Sequence, residues 1–185
     1  MKEKGHSSEQ KIMPQDLLEC YIKSRKNTYA SGKEPILGLN VRGFKGYRDV
    51  RYPYYYQDNY RDDQSRPGNF SGFEQITEGS YEGQGLTLYT YAGGLTEDGL
   101  KLQEQTEKGL RNGESVVYSR LVKFLGDHVS DVRFGKTVRF EFRDSLGKWV
   151  YEGKGRIEGH GWEDDEFISL NGVQMYKLRG TGQFY

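Results

Sequence analysis

The chain has 185 residues, enough for one domain with a substantial buried core. Its 27 Lys and Arg balance 27 Asp and Glu, so no net field steers it to nucleic acid or an anionic membrane, and neither is expected as a partner. The lone Cys20 excludes an intrachain disulfide or a Cys-based zinc site and suits a reducing compartment.

No apolar run approaches the roughly 18 residues of a membrane span, and Met1 is followed by Lys-Glu-Lys-Gly-His rather than an apolar leader. The expected location is cytoplasmic. Hydrophobic residues make up only 34%, while 15 Tyr and 9 Phe supply much of the apolar area, so tyrosine must serve as core. The 25 Gly punctuate short aromatic and β-branched runs, a β-rich pattern with many turns.

Residues 1–13 are polar and without periodicity and read as a flexible tail; residues 14–185 read as a single α+β domain. Pro14 opens a helix over residues 14–27, with Leu17, Leu18, Tyr21 and Ile22 on one stripe. Asp16 and Glu19 lie early and Lys23, Arg25 and Lys26 late, matching the macrodipole, and the stop is placed near Gly32. Residues 38–52 alternate Gly with Arg, Lys and aromatics. One short copy in a neutral chain reads as a loop into the first strand rather than as an RNA-binding segment.

Strands follow at about 54–60, 70–77 and 86–92, joined by turn-forming links into an antiparallel meander. Residues 96–113, interrupted by Gly99, Gly109 and Gly113, read as loop or frayed helix. A second helix spans 114–125, with Val117, Leu121, Phe124 and Leu125 on one face and Gly126 as its stop. Val138, Phe140 and Phe142 alternate with charged residues in a further strand, turned by Asp144-Ser145-Leu146-Gly147 into residues 149–151. Residues 167–170 and 173–178 flank Asn171-Gly172, the clearest hairpin signal in the chain. The expected architecture is an antiparallel, strongly twisted sheet or half-barrel of about seven strands covered by two helices.

Read at period two, Tyr54, Tyr56, Asp58 and Tyr60 share one strand face, placing a carboxylate in a row of phenols. If the next strand pairs with it, Glu74 faces Asp58, with Tyr89 and Tyr91 beyond. These seven residues are the expected ligand site, where phenols stack on a ring and carboxylates anchor polar groups. The alternatives are an enzyme using Asp58 and Glu74 as general acid and base, a protein-interaction or inhibitor module presenting Tyr and Arg, and a purely structural polar core.

No nucleophile elbow, phosphate loop or dinucleotide fingerprint occurs, and no cofactor is called for. The carboxylate-rich run from His160 to Glu166 reads as a solvated loop rather than a metal site. Tyr81-Glu82-Gly83-Gln84-Gly85 and Tyr151-Glu152-Gly153-Lys154-Gly155 are near copies at unequal spacings, a weak sign of internal duplication.

Several motifs occur in a recognisable order: Ser24-Arg25-Lys26-Asn27-Thr28-Tyr29-Ala30, the Tyr54–Tyr60 strand, Phe70-Ser71-Gly72-Phe73-Glu74, Phe134-Gly135, and Glu166-Phe167-Ile168 with Asn171-Gly172-Val173. In them the chain resembles a bacterial domain family of unknown function, found alone or C-terminal to helix-turn-helix DNA-binding domains. The resemblance spans roughly residues 15–182. It departs from the family pattern at Leu86-Thr87-Leu88-Tyr89-Thr90-Tyr91, where a Trp-x-Met-Asn-Tyr-type run is usual, and residues 1–13 are too few to be expected to form the DNA-binding domain. It implies a ligand-sensing or binding role and no particular reaction.

Overall fold

A computed structural model describes residues 13–31, 33, 35–37, 44–66, 68–107, 116–128 and 130–185. The expected tail, the Gly32 stop and the stretch containing Gly109, Gly113 and Glu114 lie outside the described residues, apart from Met13.

Helix α1 (Gln15–Asn27) buries Leu17, Cys20, Tyr21, Ser24 and Arg25, a stripe at three- and four-residue spacing that ends in two polar side chains. Thr28 closes it, its hydroxyl donating to the Ser24 carbonyl at 2.8 Å, and a 3-10 turn follows at Tyr29–Ser31. Eight strands of seven residues or more then form one antiparallel sheet, with a two-residue ninth at one edge. They are β1 (Ile36–Leu37), β2 (Lys45–Arg51), β3 (Tyr54–Asp62), β4 (Asn69–Glu78), β5 (Gln84–Leu95), β6 (Val138–Asp144), β7 (Gly147–Glu158), β8 (Gly161–Leu170) and β9 (Val173–Phe184).

The spatial order is β1-β2-β3-β4-β5-β9-β8-β7-β6, so two meanders meet where β5 pairs with β9. Between them in sequence run α2 (Glu97–Glu107) and α3 (Val116–His128). Among the described residues the sheet is thus accompanied by three α-helices rather than two, and has more strands than expected.

Two segments differ from the expected loops for identifiable reasons. Lys45–Arg51 is a strand despite its poor β propensity, because its whole length pairs with β3; a Cβ on Gly46 would stand 1.8 Å from the Asp58 carbonyl oxygen. Glu97–Glu107 is helical because Thr96 caps it, accepting from the Gly99 amide at 3.2 Å, with Glu97 and Asp98 in the first turn. Gly99 is no breaker here. A Cβ would fall 2.1 Å from the Met175 carbonyl oxygen, so the glycine lets α2 lie close to β9.

Helix α3 buries the expected Val117, Leu121, Phe124 and Leu125, but it runs through Gly126 to His128. The Asn171-Gly172 turn has both residues at positive φ, 51° and 86°, as a two-residue hairpin requires. The near-copies do not mark a duplication: Tyr81 to Gly83 sit in the β4–β5 turn, whereas Tyr151 to Gly155 lie inside β7.

Side chains alternate along most strands, with register shifts at Ile76/Thr77 and Ile168/Ser169 and four consecutive buried residues, Tyr56 to Asn59, on β3. On β8 the buried positions are Trp162, Asp164, Glu166, Ile168 and Leu170. The run beginning at His160 is therefore a strand, and two of its carboxylates point inward rather than into solvent. Among the described residues no helix is long and apolar enough to cross a membrane.

Candidate functional site

Strands β3 and β4 place Asp58 directly opposite Glu74, and β5 places Tyr89 opposite Glu74 and Tyr91 opposite Gly72. Both carboxylates are buried, Asp58 at 4% and Glu74 at 0% exposure. Their surroundings are very different.

Glu74 is fully compensated. Arg25, the charged end of the α1 stripe, donates to Oε2 through Nε at 2.9 Å and Nη2 at 2.7 Å, and Arg133 donates to Oε1 at 3.0 Å. Arg133 also bonds Glu166 through two nitrogens and the Tyr29 hydroxyl at 3.1 Å. Arginine and glutamate thus alternate through the core, each charge meeting its opposite, as burial demands.

Arg133 is held there by an unusual turn. Arg133, Phe134 and Gly135 all have positive φ, 67°, 57° and 71°. Two of them carry side chains, a conformation that costs on the order of 1–2 kcal/mol per residue unless its surroundings enforce it. The enforcement comes from Asp164, whose carboxylate accepts from the Phe134 amide at 3.1 Å and the Gly135 amide at 2.9 Å. Burial nevertheless pushes the Asp164 carboxyl up to about 6.

Asp58 has no such counter-ion among the described residues. Its hydrogen-bond donor is the Tyr91 hydroxyl, at 2.5 Å from Oδ1. Gly72 makes that bond possible, since a Cβ there would stand 2.6 Å from the Tyr91 hydroxyl and 2.7 Å from the Tyr60 Cβ. Burial, reinforced by the nearby Glu74 charge, pushes the Asp58 carboxyl up to about 8.

Asp58 lies at the floor of a cavity of about 310 Å³. On one side Tyr47 and Tyr60 stack, with ring centroids 6.2 Å apart and planes at 19°, and Tyr29 packs against Tyr47 at 6.0 Å. On the other Phe70, Tyr118 and Tyr176 form a mutual cluster with centroids 6.1–6.3 Å apart. Leu121, Val122 and Leu125 of α3 complete the lining, and Tyr118 donates to the Gly68 carbonyl, tying α3 over the β3–β4 turn. Lys45 and Asp62 sit at the opening, paired at 2.7 Å.

Of the seven residues expected from sequence, Asp58, Tyr60, Glu74 and Tyr91 line this cavity. The other three do not. Tyr54 donates to Asp16 on α1, Tyr56 is buried edge-on against Tyr21, and Tyr89 lies flat on Trp162 with centroids 5.8 Å apart. Tyr89 folds over Gly180, where a Cβ would meet its hydroxyl at 2.1 Å.

Sequence reasoning missed Arg25, Arg133 and Glu166 as partners in the network and Tyr47, Tyr118 and Tyr176 as walls. A signal for two of them existed: Arg25 falls on the apolar stripe of α1, and Glu166 shares strand parity with Trp162, Ile168 and Leu170. Cys20 is core, its thiol pushed by burial up to about 11, away from thiolate chemistry. Among the described residues no three His, Cys, Asp or Glu side chains are grouped to hold a metal ion. No protein-family model, curated protein or solved structure matches the chain.

Proposed function

We propose that the chain is a small-molecule binding module. Its ligand occupies the cavity between Tyr47–Tyr60 and Phe70–Tyr118–Tyr176, on the concave side of a sheet curved as a half-barrel. The observation that carries this reading is Asp58, a buried carboxylate at the floor of a hollow, without a counter-ion among the described residues. A carboxylate left this way inside a domain costs stability, whereas at the end of an aromatic slot it fixes the polar end of a guest. A volume of about 310 Å³ lies at the small end of ligand sites and suits a compact, ring-bearing molecule. The resemblance to a domain found behind DNA-binding domains supports a sensing role.

Native mass spectrometry of the protein purified from its own host, followed by a melting screen against metabolites, tests this. A bound compound raises the melting temperature by mass action, and Tyr60→Ala and Tyr118→Ala reduce that rise while leaving a folded protein. A compound whose effect is identical in both variants does not sit in this cavity, and the reading then fails.

A second reading follows from the Asp58 carboxyl itself. Pushed up towards neutrality, it has the balance of proton affinities that a general acid or base needs. Both Glu74 oxygens are occupied by arginine, so the paired-carboxylate mechanism narrows to Asp58 with Tyr91. Turnover of the bound compound, lost in Asp58→Asn, is its test; a stable stoichiometric complex without turnover rejects it.

A further inference from the structure

We propose that the cavity selects a protonated amine attached to a ring, the ammonium bonding the Asp58 carboxylate while the ring lies between the two aromatic walls. This rests on the small-molecule reading above and narrows it to one ligand chemistry.

The first argument is charge. Around the cavity and immediately behind it stand five carboxylates, Asp58, Asp62, Glu74, Asp164 and Glu166, and three cations, Lys45, Arg25 and Arg133; Asp164 is held by the Phe134 and Gly135 amides. Lys45 takes Asp62, and the two arginines take Glu74 and Glu166. Asp58 is left over. An anionic guest would bring a buried charge with no cation left to pair it, whereas an ammonium takes the place of the proton that Asp58 otherwise holds and closes the set.

The second argument is the wall chemistry. Phenol and phenyl rings present negative faces that attract an ammonium, and they stack on a ring carried by the same guest. The Arg133 guanidinium, a cation on the cavity wall, is already engaged by Glu74, Glu166 and Tyr29.

The third argument concerns protons. The groups facing Asp58 from the packed elements are Tyr47 on β2, Glu74 on β4, Tyr91 on β5 and Tyr118 on α3. Tyr29 belongs to the 3-10 turn, Arg25 to α1 and Arg133 to the 133–135 turn. Burial and the Glu74 charge hold the empty site protonated at neutral pH. An ammonium needs the ionised form, so binding expels that proton. Below about pH 8 affinity therefore rises about tenfold per pH unit, and it levels off above that.

Calorimetry on the full chain with four probes decides the matter: 2-phenylethylamine, 2-phenylethanol, 3-phenylpropanoate and hexylamine, each at up to millimolar concentration. Phenylethylamine is expected to bind and to release close to one proton at pH 7, read from buffers of different ionisation enthalpy. The alcohol and the acid should bind at least about thirtyfold more weakly, as should phenylethylamine to Asp58→Asn. Hexylamine, which lacks the ring, should be about three- to tenfold weaker.

Equal binding of the alcohol or acid, unaffected by Asp58→Asn but lost in Tyr60→Ala, overturns the amine inference and leaves the cavity as a binding site. Equal binding of hexylamine removes the ring from the proposal. Silence from all four probes also overturns the amine inference, and the host-purified complex then decides the broader reading separately. A cooperative melting transition of Asp58→Asn shows that its loss of binding is not loss of fold, and Tyr54→Phe, whose ring lies outside the cavity, should bind phenylethylamine as the wild type does.

Discussion

The β6–β7 end of the sheet and its β3–β5 part obey the same alternation and lie under the same helical layer, yet one is solid and the other hollow. Over β6 and β7, Phe124 of α3 sits 5.0 Å from Phe142 and 5.5 Å from Tyr151, and Phe142 packs on Trp149 at 6.4 Å. Over β3 to β5 the inward positions set Asp58, Glu74 and Gly72 among Tyr56, Ile76, Tyr89 and Tyr91. Rings interdigitate and fill the space between layers. Glu74 instead draws in guanidiniums from α1 and from the 133–135 turn, and Arg133 stands on the cavity wall where a packed ring would fill it. The hollow is thus a consequence of where charge was placed on a strand, and breaking either end tests that account.

The largest effect is expected at the compensated charge. Glu74→Gln leaves Arg25 without a carboxylate and Arg133 with Glu166 alone in a buried site, and loss of one member of such a network costs about 3–5 kcal/mol. Urea unfolding should show it as a lower midpoint with an unchanged slope. A loss under about 1 kcal/mol would mean that Arg25 and Arg133 are not carried by this carboxylate.

At the solid end, Phe124→Ala removes a ring that is 2% exposed and touches two others, with an expected cost of about 3–4 kcal/mol by the same measurement. An amine ligand should still bind this variant, because Phe124 does not line the cavity.

Asp58→Asn should act in the opposite direction. A carboxyl raised in the folded state from about 3.8 to about 8 favours folding fully at acid pH, and that contribution is lost as pH rises through the folded value. The wild type should therefore lose stability from about pH 4 to about pH 8. In Asp58→Asn the fall should end near pH 6, where Asp164 finishes titrating. At pH 8–9 the variant should be the more stable, by roughly 1–4 kcal/mol. Parallel pH curves for the two proteins would show that Asp58 is solvated and would close the comparison against the hollow.

What the sequence disclosed follows the same division. Period-two reading found the facing Asp58 and Glu74 because they lie on adjacent strands joined by a short link, and local spacing found the α3 stripe and the Asn171-Gly172 turn. Period alone could not say which phenols border empty space: Tyr56, Asp58 and Tyr60 share one face, but whether a ring meets a neighbour or a hollow depends on α1, α3 and β9. The ion partners were hidden by distance along the chain. Arg25 reaches Glu74 across 49 positions, and Arg133 reaches Glu166 across 33. A charge on a buried stripe announces that a partner exists without saying where. Helix α2 is not legible at Gly99, because the close approach of Met175 that calls for a glycine there is a tertiary fact.

The smallest expected effects separate two tyrosines of the same strand. Tyr60 stands over the cavity, so Tyr60→Ala enlarges an existing hollow rather than opening a new one, and should cost only about 1 kcal/mol while weakening any cavity ligand. Tyr54, six residues earlier on the same face, ends in a surface hydrogen bond to Asp16 at the start of α1. Tyr54→Phe removes that bond where water replaces it, so both the melting temperature and the ligand response should match the wild type. If Tyr54→Phe reduces the ligand response as much as Tyr60→Ala does, the guest extends along the whole phenol row past Tyr56. The site would then be the strand face first read from the sequence, and not the hollow under α3.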